Sequence, residues 1–161
     1  MAPSDITVRL TELVGPALAG LSPEQQPAIV ALAERIAAGR YRAWGKQVGD
    51  AGTREALLAC ASREDEIATR VEATVPDAAE VQQAALAAHP ALPDGYAALF
   101  AGLSLAEQWA LQAEAERVGA ATWRNLASAD EARSAVYQAC AELEETSAAA
   151  LEALVAAGAA G

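Results

Sequence analysis

Apolar residues recur at helical spacing through most of this chain, and short groups of capping residues divide it into helices. Residues 22–25 (SPEQ) combine an N-cap serine, a proline for the first helical position and a capping-box partner. Thr53 follows a turn and is expected to cap the next helix, and Ser104 with Glu107 forms a second capping box. A short turn over 127–130 separates the last two helices. These patterns predict four long helices, over about 22–48, 53–74, 104–126 and 130–155.

Two further segments complete the predicted organisation. Residues 5–20 have the pattern of a short amphipathic N-terminal helix. Residues 75–103 form a long crossover that prolines and glycines interrupt, with helical pieces near 77–88 and 94–101. Two helical hairpins joined by a long crossover are typical of bundles in which the second pair runs back along the first. The predicted fold is therefore an all-α four-helix bundle with a short N-terminal helix, forming one domain over residues 1–161.

Composition supports a helical fold and narrows the choice of partners. The chain contains 45 alanines, the best helix former, and few β-branched or aromatic residues. Its formal net charge of −11 argues against binding to nucleic acid or to an anionic membrane surface. The sequence has neither a signal-peptide pattern at its start nor an apolar run long enough to span a membrane, so we expect a cytoplasmic protein. A homodimer or another protein partner is left open.

Few residues offer nucleophilic or metal-binding chemistry. Cys60 and Cys140 match no zinc or redox spacing and are expected to be small buried hydrophobic residues. The single histidine, His89, precedes a proline in the crossover, where an exposed or capping role is expected. A nucleophilic triad needs a histidine as its base, and the only histidine of the chain lies in the crossover, so a triad is not expected. No catalytic residue is assigned, and enzymatic activity is left open.

The two predicted hairpins resemble each other in sequence. Residues 34–42 (ERIAAGRYR) align with residues 116–124 (ERVGAATWR) at an offset of 82, since 116 − 34 = 82. Residues 60–64 align with residues 140–144 at an offset of 80, since 140 − 60 = 80. Glutamate, arginine, cysteine and aromatic positions still coincide when alanine matches are discounted. The sequence therefore predicts an internal duplication.

One glutamate on each bundle helix is expected to face the interior. Glu64 and Glu116 lie inside the apolar faces of their helices, whereas Glu144 lies less centrally and Glu34 lies at the edge. A buried carboxylate must be protonated, paired or bound to a metal, because a bare charge in an apolar interior costs several kcal/mol.

With these glutamates in place, residues 22–156 resemble the ferritin-like superfamily, most nearly its rubrerythrin-type members. Di-iron bundles of that family carry a glutamate on the first and third helices and Glu-x-x-His on the second and fourth. Tyr41, seven residues after the first glutamate, is also typical of the family. The resemblance implies four metal ligands, which are Glu34, Glu64, Glu116 and Glu144.

The chain departs from the family at both histidine positions, where Ile67 and Ser147 stand instead. Without imidazole ligands, a ferroxidase or oxygenase centre is not expected. We therefore expect no cofactor, with a di-iron or di-manganese centre as the alternative. A carboxylate-only site would suit a hard ion such as Mn²⁺ or Mg²⁺.

An internal ion-pair network is the interpretation that we favour from the sequence. Arg40 lies near the middle of an apolar stripe, so we predict that its guanidinium lies within salt-bridge distance of Glu64 or Glu116. Gln112 would add hydrogen bonds. The residues predicted to form this interior network or to line a pocket are Arg40, Tyr41, Gln112 and Trp123.

Three functions follow from the sequence. The first is a ferritin-like bundle without a di-iron centre that acts as a binding or structural module. The second is a di-metal carboxylate oxidoreductase with a histidine-free ligand set. The third is a small-molecule binding bundle in which tryptophans and the inward carboxylates form the pocket. The candidate tryptophans are Trp44, Trp109 and Trp123, although aromatic residues at helical spacing are more often part of the core.

Overall fold

The computed structural model describes residues 5–160, which contain seven α-helices and no β-strand. The helices are α1 (Asp5–Leu18), α2 (Gln26–Gln47), α3 (Ala51–Glu72), α4 (Ala78–Ala88), α5 (Leu92–Ala98), α6 (Leu105–Ala129) and α7 (Ser134–Ala156). The all-α prediction is confirmed, and α4 and α5 are the helical pieces of the crossover. The signal-peptide expectation rests largely on residues 1–4, which, like residue 161, lie outside the described residues.

Two helical hairpins account for most of the contacts between helices. α2 packs along α3, α6 packs along α7, and α3 packs against α7. The N-terminal helix α1 contacts α2, α5 and α6, while α4 lies against α2. No helix among the described residues is both long and apolar enough to cross a bilayer.

Of the four predicted starts of the long helices, that of α6 is correct. The capping box of α6 is confirmed, with Ser104 and Glu107 each accepting a hydrogen bond from the other's backbone N–H. The predicted start of α2 near residue 22 is wrong, because α2 begins at Gln26. Pro27 explains the difference. A helix beginning at residue 23 would put Pro27 beyond its first turn, where the missing N–H and the ring break the helix.

Two other starts differ from the prediction. Asp50, not Thr53, is the N-cap of α3, since its carboxylate accepts a hydrogen bond from the Thr53 N–H at 2.7 Å. The last helix begins at Ser134 rather than near residue 130. There Asp130 accepts hydrogen bonds from the backbone and side chain of Arg133, which holds this short segment as a turn.

Two apolar layers stand on either side of the four glutamates. The first layer includes Tyr41, Trp44, Leu57, Cys60, Trp109 and Leu151. The second includes Ile67, Val71, Trp123, Tyr137 and Cys140. Both cysteines are free and buried, as expected. Each of α2, α3, α6 and α7 contributes residues to both layers and carries its glutamate between them.

The outer surfaces of the two hairpins carry matching ion pairs. On the first hairpin, Arg35 pairs with Asp65 and Glu72, and Arg42 pairs with Asp65. On the second, Arg117 pairs with Glu145 and Glu152, and Arg124 pairs with Glu145. The paired arginines lie in the aligned segments at the offset of 82, and their acidic partners lie beyond residues 60–64 and 140–144 at the same offset of 80. These pairs are partly exposed, so each stabilises the fold only modestly.

Candidate metal centre

All four predicted glutamates are buried. The exposed fractions are 8% for Glu34, 0% for Glu64, 2% for Glu116 and 1% for Glu144. Glu34, which the helical pattern placed at the edge of its face, is therefore inside the protein. Burial of all four follows from their positions between the two apolar layers.

Three of these carboxylates converge on one point. Glu34, Glu64 and Glu144 each offer an oxygen, and these three oxygens lie within 4.8 Å of one another. They come from α2, α3 and α7, so three different helices meet here. Oxygens at this separation are close enough to bind one cation together.

Neighbouring side chains hold Glu116 in position. The Tyr41 hydroxyl and the Gln112 amide both donate hydrogen bonds to Glu116 Oε1, each at 2.6 Å. Tyr41 comes from α2, whereas Gln112 lies one turn before Glu116 on α6. Both donors bind one oxygen, so the carboxylate is oriented from two sides.

Glu64 and Glu144 also accept hydrogen bonds. Trp123 Nε1 donates to Glu144 Oε1 at 3.0 Å, and Ser147 Oγ donates to Glu64 Oε1 at 2.9 Å. Arg63 Nε in turn donates to Ser147 Oγ at 3.1 Å, so this serine connects a carboxylate with a guanidinium. The other oxygen of Glu64, Oε2, is buried and has no hydrogen-bond partner. Native proteins leave few such atoms unsatisfied, so this oxygen is available to a proton or to a cation.

The predicted ion pair between Arg40 and an inward glutamate is not formed. Arg40 Nη1 donates to Gln112 Oε1 at 2.5 Å, and Gln112 donates in turn to Glu116. The guanidinium lies over the Phe100 ring, 4.1 Å from its centroid, which keeps it at the wall of the centre. Within residues 5–160, no ion pair involves any of the four buried glutamates.

Burial without a paired cation shifts the carboxyl groups toward the protonated form. Burial, and then the charge of Glu116, raises the pKa of Glu34 to about 8. Burial also raises the pKa of Glu64 and of Glu144 well above the usual range, and the neighbouring glutamates raise both further. The centre therefore holds protons when no metal is bound, and a bound cation would displace them.

The donor set of the centre consists of oxygen atoms. Ile67 and Ser147, at the positions where a Glu-x-x-His pattern would have histidine, are both fully buried. His89 caps the end of α4 in the crossover. Carboxylate oxygens suit hard divalent ions such as Mn²⁺ and Mg²⁺ better than ions that prefer nitrogen or sulfur. The residues present thus fit an oxygen-ligated divalent cation.

Gly119 allows Glu144 to approach α6 closely. A Cβ atom at Gly119 would lie 2.6 Å from Glu144 Oε1 and 2.8 Å from Glu144 Cδ, shorter than a normal contact. Any larger residue here would displace this carboxylate. The glycine lies in the interior of α6, where alanine would be the better helix former. Its position is therefore explained by the carboxylate beside it.

A cavity of about 320 Å³ connects the centre with the inner face of α1. We call it the α1 cavity. Glu34, Glu116 and Glu144 lie at its wall together with Arg40 and Gln112. Inward carboxylates thus line a cavity, as the small-molecule hypothesis expected, but the predicted tryptophan lining is wrong for this cavity, since none of the three tryptophans lines it. Trp44, Trp109 and Trp123 are instead buried in the two apolar layers.

Comparison with known proteins finds no matching family model, no matching curated protein and no matching solved structure.

Sequence reasoning missed three features of this region. Gly119 was one small residue on an apolar face, and only the position of α7 shows what it touches. Arg63 stands among acidic residues in the sequence, and its hydrogen bond to Ser147 depends on how α3 packs against α7. Phe100, the one phenylalanine in the chain, lies in the crossover. Its contact with Arg40 depends on the path of the crossover, which the sequence pattern does not give.

Proposed function

We propose that this protein binds divalent cations, Mn²⁺ first among them, at a carboxylate-only centre formed by four glutamates. The observation that carries the proposal is the burial of four carboxylates, three of which converge, with no ion pair to any of them within residues 5–160. The three converging oxygens are ligands for one cation, so at least one ion per chain is expected. The unpartnered oxygen of Glu64 supports the same proposal.

We further propose that α2, α3, α6 and α7 form a ferritin-like four-helix bundle that arose by duplication of one hairpin. The equivalent glutamates and the matching surface ion pairs of the two hairpins support this. Across the bundle, the Tyr41–Glu116 and Arg40–Gln112 hydrogen bonds connect α2 with α6. The proposed bundle has glutamates at the positions that the di-iron pattern requires, but Ile67 and Ser147 stand at the positions of the two histidine ligands.

Elemental analysis of protein purified without chelators tests the proposal. The wild-type chain should carry or take up Mn²⁺ or Fe²⁺. The double variant Glu64→Gln/Glu116→Gln, in which neutral amides replace two carboxylates of nearly the same shape, should lose it. Removing two of four charged ligands should weaken affinity by about 100-fold or more.

Arg35→Met is a matched control for this measurement, because its ion pairs lie on the outer surface. It should keep the wild-type metal content. Stoichiometry near two would also support the di-metal oxidoreductase hypothesis, and oxygen uptake by the loaded protein is then the next assay. Absence of metal in both proteins after incubation with Mn²⁺ and Fe²⁺ would refute the proposal and favour a metal-free structural module.

Gly119→Ala should weaken metal binding without unfolding the protein. The new methyl group would push the Glu144 carboxylate out of position, so we expect an affinity loss of about tenfold. Isothermal titration with Mn²⁺ measures the loss, and thermal unfolding reports the stability.

Gly39→Ala provides the matched control on α2, since a Cβ at this exposed glycine meets nothing within 4 Å. It should raise the free energy of unfolding by about 0.5–1 kcal/mol through helix propensity and leave Mn²⁺ affinity unchanged. Equal Mn²⁺ affinity in both glycine variants would show that the position of Glu144 is unimportant for binding.

A further inference from the structure

Protein donors bind one oxygen on three of the four glutamates of the centre. The pairs are Glu64 with Ser147, Glu116 with Tyr41 and Gln112, and Glu144 with Trp123. In each carboxylate the acceptor is Oε1. On Glu64 the second oxygen, Oε2, is buried and has no hydrogen-bond partner among the described residues. Glu64 therefore has one oxygen bound by the protein and one oxygen left for a cation.

Arg63 holds Ser147 from its other side. Arg63 Nε donates to Ser147 Oγ at 3.1 Å, and the hydroxyl in turn donates to Glu64 Oε1 at 2.9 Å. A hydroxyl has a single hydrogen, so the bond accepted from Arg63 favours the orientation that directs this hydrogen to the carboxylate. Arg63 Nη2 also donates to Cys60 Sγ at 3.1 Å, which fixes the guanidinium on α3. Ser147 is fully buried, which shields these bonds from solvent.

A donor on one oxygen opposes the binding of a cation through that same oxygen. The hydrogen of an O–H or N–H group carries a partial positive charge, so it repels a cation that approaches the atom it binds. On Glu116 Oε1 two donors, each at 2.6 Å, use both lone pairs. On Glu64 the Ser147 hydroxyl disfavours coordination through both oxygens and leaves Oε2 as the ligand atom.

The number of oxygens that each carboxylate offers bears on the size of the ion. Ca²⁺ takes about six to eight oxygens at about 2.3–2.6 Å and often binds a carboxylate through both oxygens. Mg²⁺ and Mn²⁺ favour octahedral sets of about six oxygens, and Mg²⁺ binds them at about 2.0–2.1 Å. The three converging oxygens come one each from Glu34, Glu64 and Glu144. A set of single oxygens suits the smaller ions better than Ca²⁺.

We propose that Ser147, held by Arg63, is a specificity-determining residue of the metal centre. It confines Glu64 to coordination through Oε2, so the centre binds small six-coordinate ions such as Mn²⁺ and Mg²⁺ and discriminates against Ca²⁺. This inference rests on the proposed cation binding and names the class of ion that the centre accepts.

Calorimetric titration of the full chain with Mn²⁺, and of the Mn²⁺-loaded chain with competing Ca²⁺, tests the inference. The wild type should bind Mn²⁺ about 100-fold or more tighter than Ca²⁺. Similar affinities for the two ions would overturn the inference and leave the proposed metal centre intact. Binding of neither ion would refute the metal centre, and this inference with it.

Ser147→Ala removes the donor from Glu64 and should lower the preference for Mn²⁺ over Ca²⁺ by about tenfold or more. The matched control is Thr146→Val, which removes the exposed hydroxyl of the next residue, a donor to the Glu142 carbonyl. Its preference should equal that of the wild type. A residue that only stabilises the fold would weaken the binding of both ions alike, so the ratio of the two affinities separates specificity from stability.

Arg63→Met tests the same orientation at a residue that is not fully buried. Without the guanidinium the Ser147 hydroxyl is free to turn from Glu64, so the preference should fall by about threefold or more. Arg70→Met, which breaks an exposed ion pair with Glu66 on the same helix, is the control and should match the wild type. Circular dichroism establishes that each variant is folded. An unchanged ratio of affinities in folded Ser147→Ala, or in folded Arg63→Met, would overturn the inference.

Discussion

The metal-free protein should lose stability as the pH rises from about 4.5 to about 8. In the folded state, burial raises the pKa of Glu34 from 4.5 to about 8, and it raises the pKa of Glu64 and Glu144 as well. Over this interval the unfolded chain releases protons that the folded chain retains, so rising pH favours unfolding. The stabilisation is complete below about 4.5 and is lost as the pH passes through the folded-state pKa values. A tenfold difference in proton affinity between the folded and unfolded states corresponds to about 1.4 kcal/mol, so the total loss should reach several kcal/mol.

Urea denaturation of chelator-treated protein across this pH range measures the effect. Mn²⁺ should restore the stability at pH 8, because a ligand that binds only the folded state stabilises it. The variant Glu34→Gln/Glu144→Gln should show a much flatter pH dependence and no rescue by Mn²⁺. The lowered pKa values of Asp50 and Asp130 place the titration of these two carboxyl groups below the interval. A wild-type stability that is constant over this range would contradict the burial of uncompensated carboxyl groups.

Leu57→Ala should destabilise the protein by about 2–5 kcal/mol. Leu57 is fully buried in the apolar layer that contains Tyr41 and Trp109. It lies seven residues, about two turns, before Glu64, so both side chains project from the same face of α3. Chemical denaturation of this variant therefore also tests the orientation that turns Glu64 inward.

The next residue supplies the control. Leu58 is 43% exposed, and Leu58→Ala should change the free energy of unfolding by about 0.5 kcal/mol or less. The two variants remove the same atoms from adjacent positions. Similar losses in both would mean that α3 is rotated about its axis, with Glu64 away from the other glutamates.

The sequence allowed helix class and inward faces to be predicted well, because both depend on local chemistry. The capping box at Ser104 is local, and so is the spacing that turns Glu64 and Glu116 inward. The start of α2 was mispredicted because two signals competed. The capping residues before the helix favoured an early start, whereas Pro27 required a later one.

The details of the centre depend on how helices approach one another, which helical periodicity does not encode. Arg40 was predicted to pair with a glutamate, since it lies on an apolar stripe, but Phe100 from the crossover holds its guanidinium. The contact between Gly119 and Glu144 requires the distance between α6 and α7. The α1 cavity likewise depends on where α1 packs. The amphipathic pattern of α1 identifies which face of this helix is buried, but not which helices that face contacts.

Anomalous diffraction from crystals grown with Mn²⁺ tests the central claim most directly. A cation at the carboxylate centre should give an anomalous peak with oxygens of Glu34, Glu64 and Glu144 as ligands, at distances of about 2–2.5 Å. Glu116, held by Tyr41 and Gln112, should complete the set. A map with no peak there, and with the four glutamates hydrogen-bonded to one another as neutral acids, would contradict the proposed metal centre.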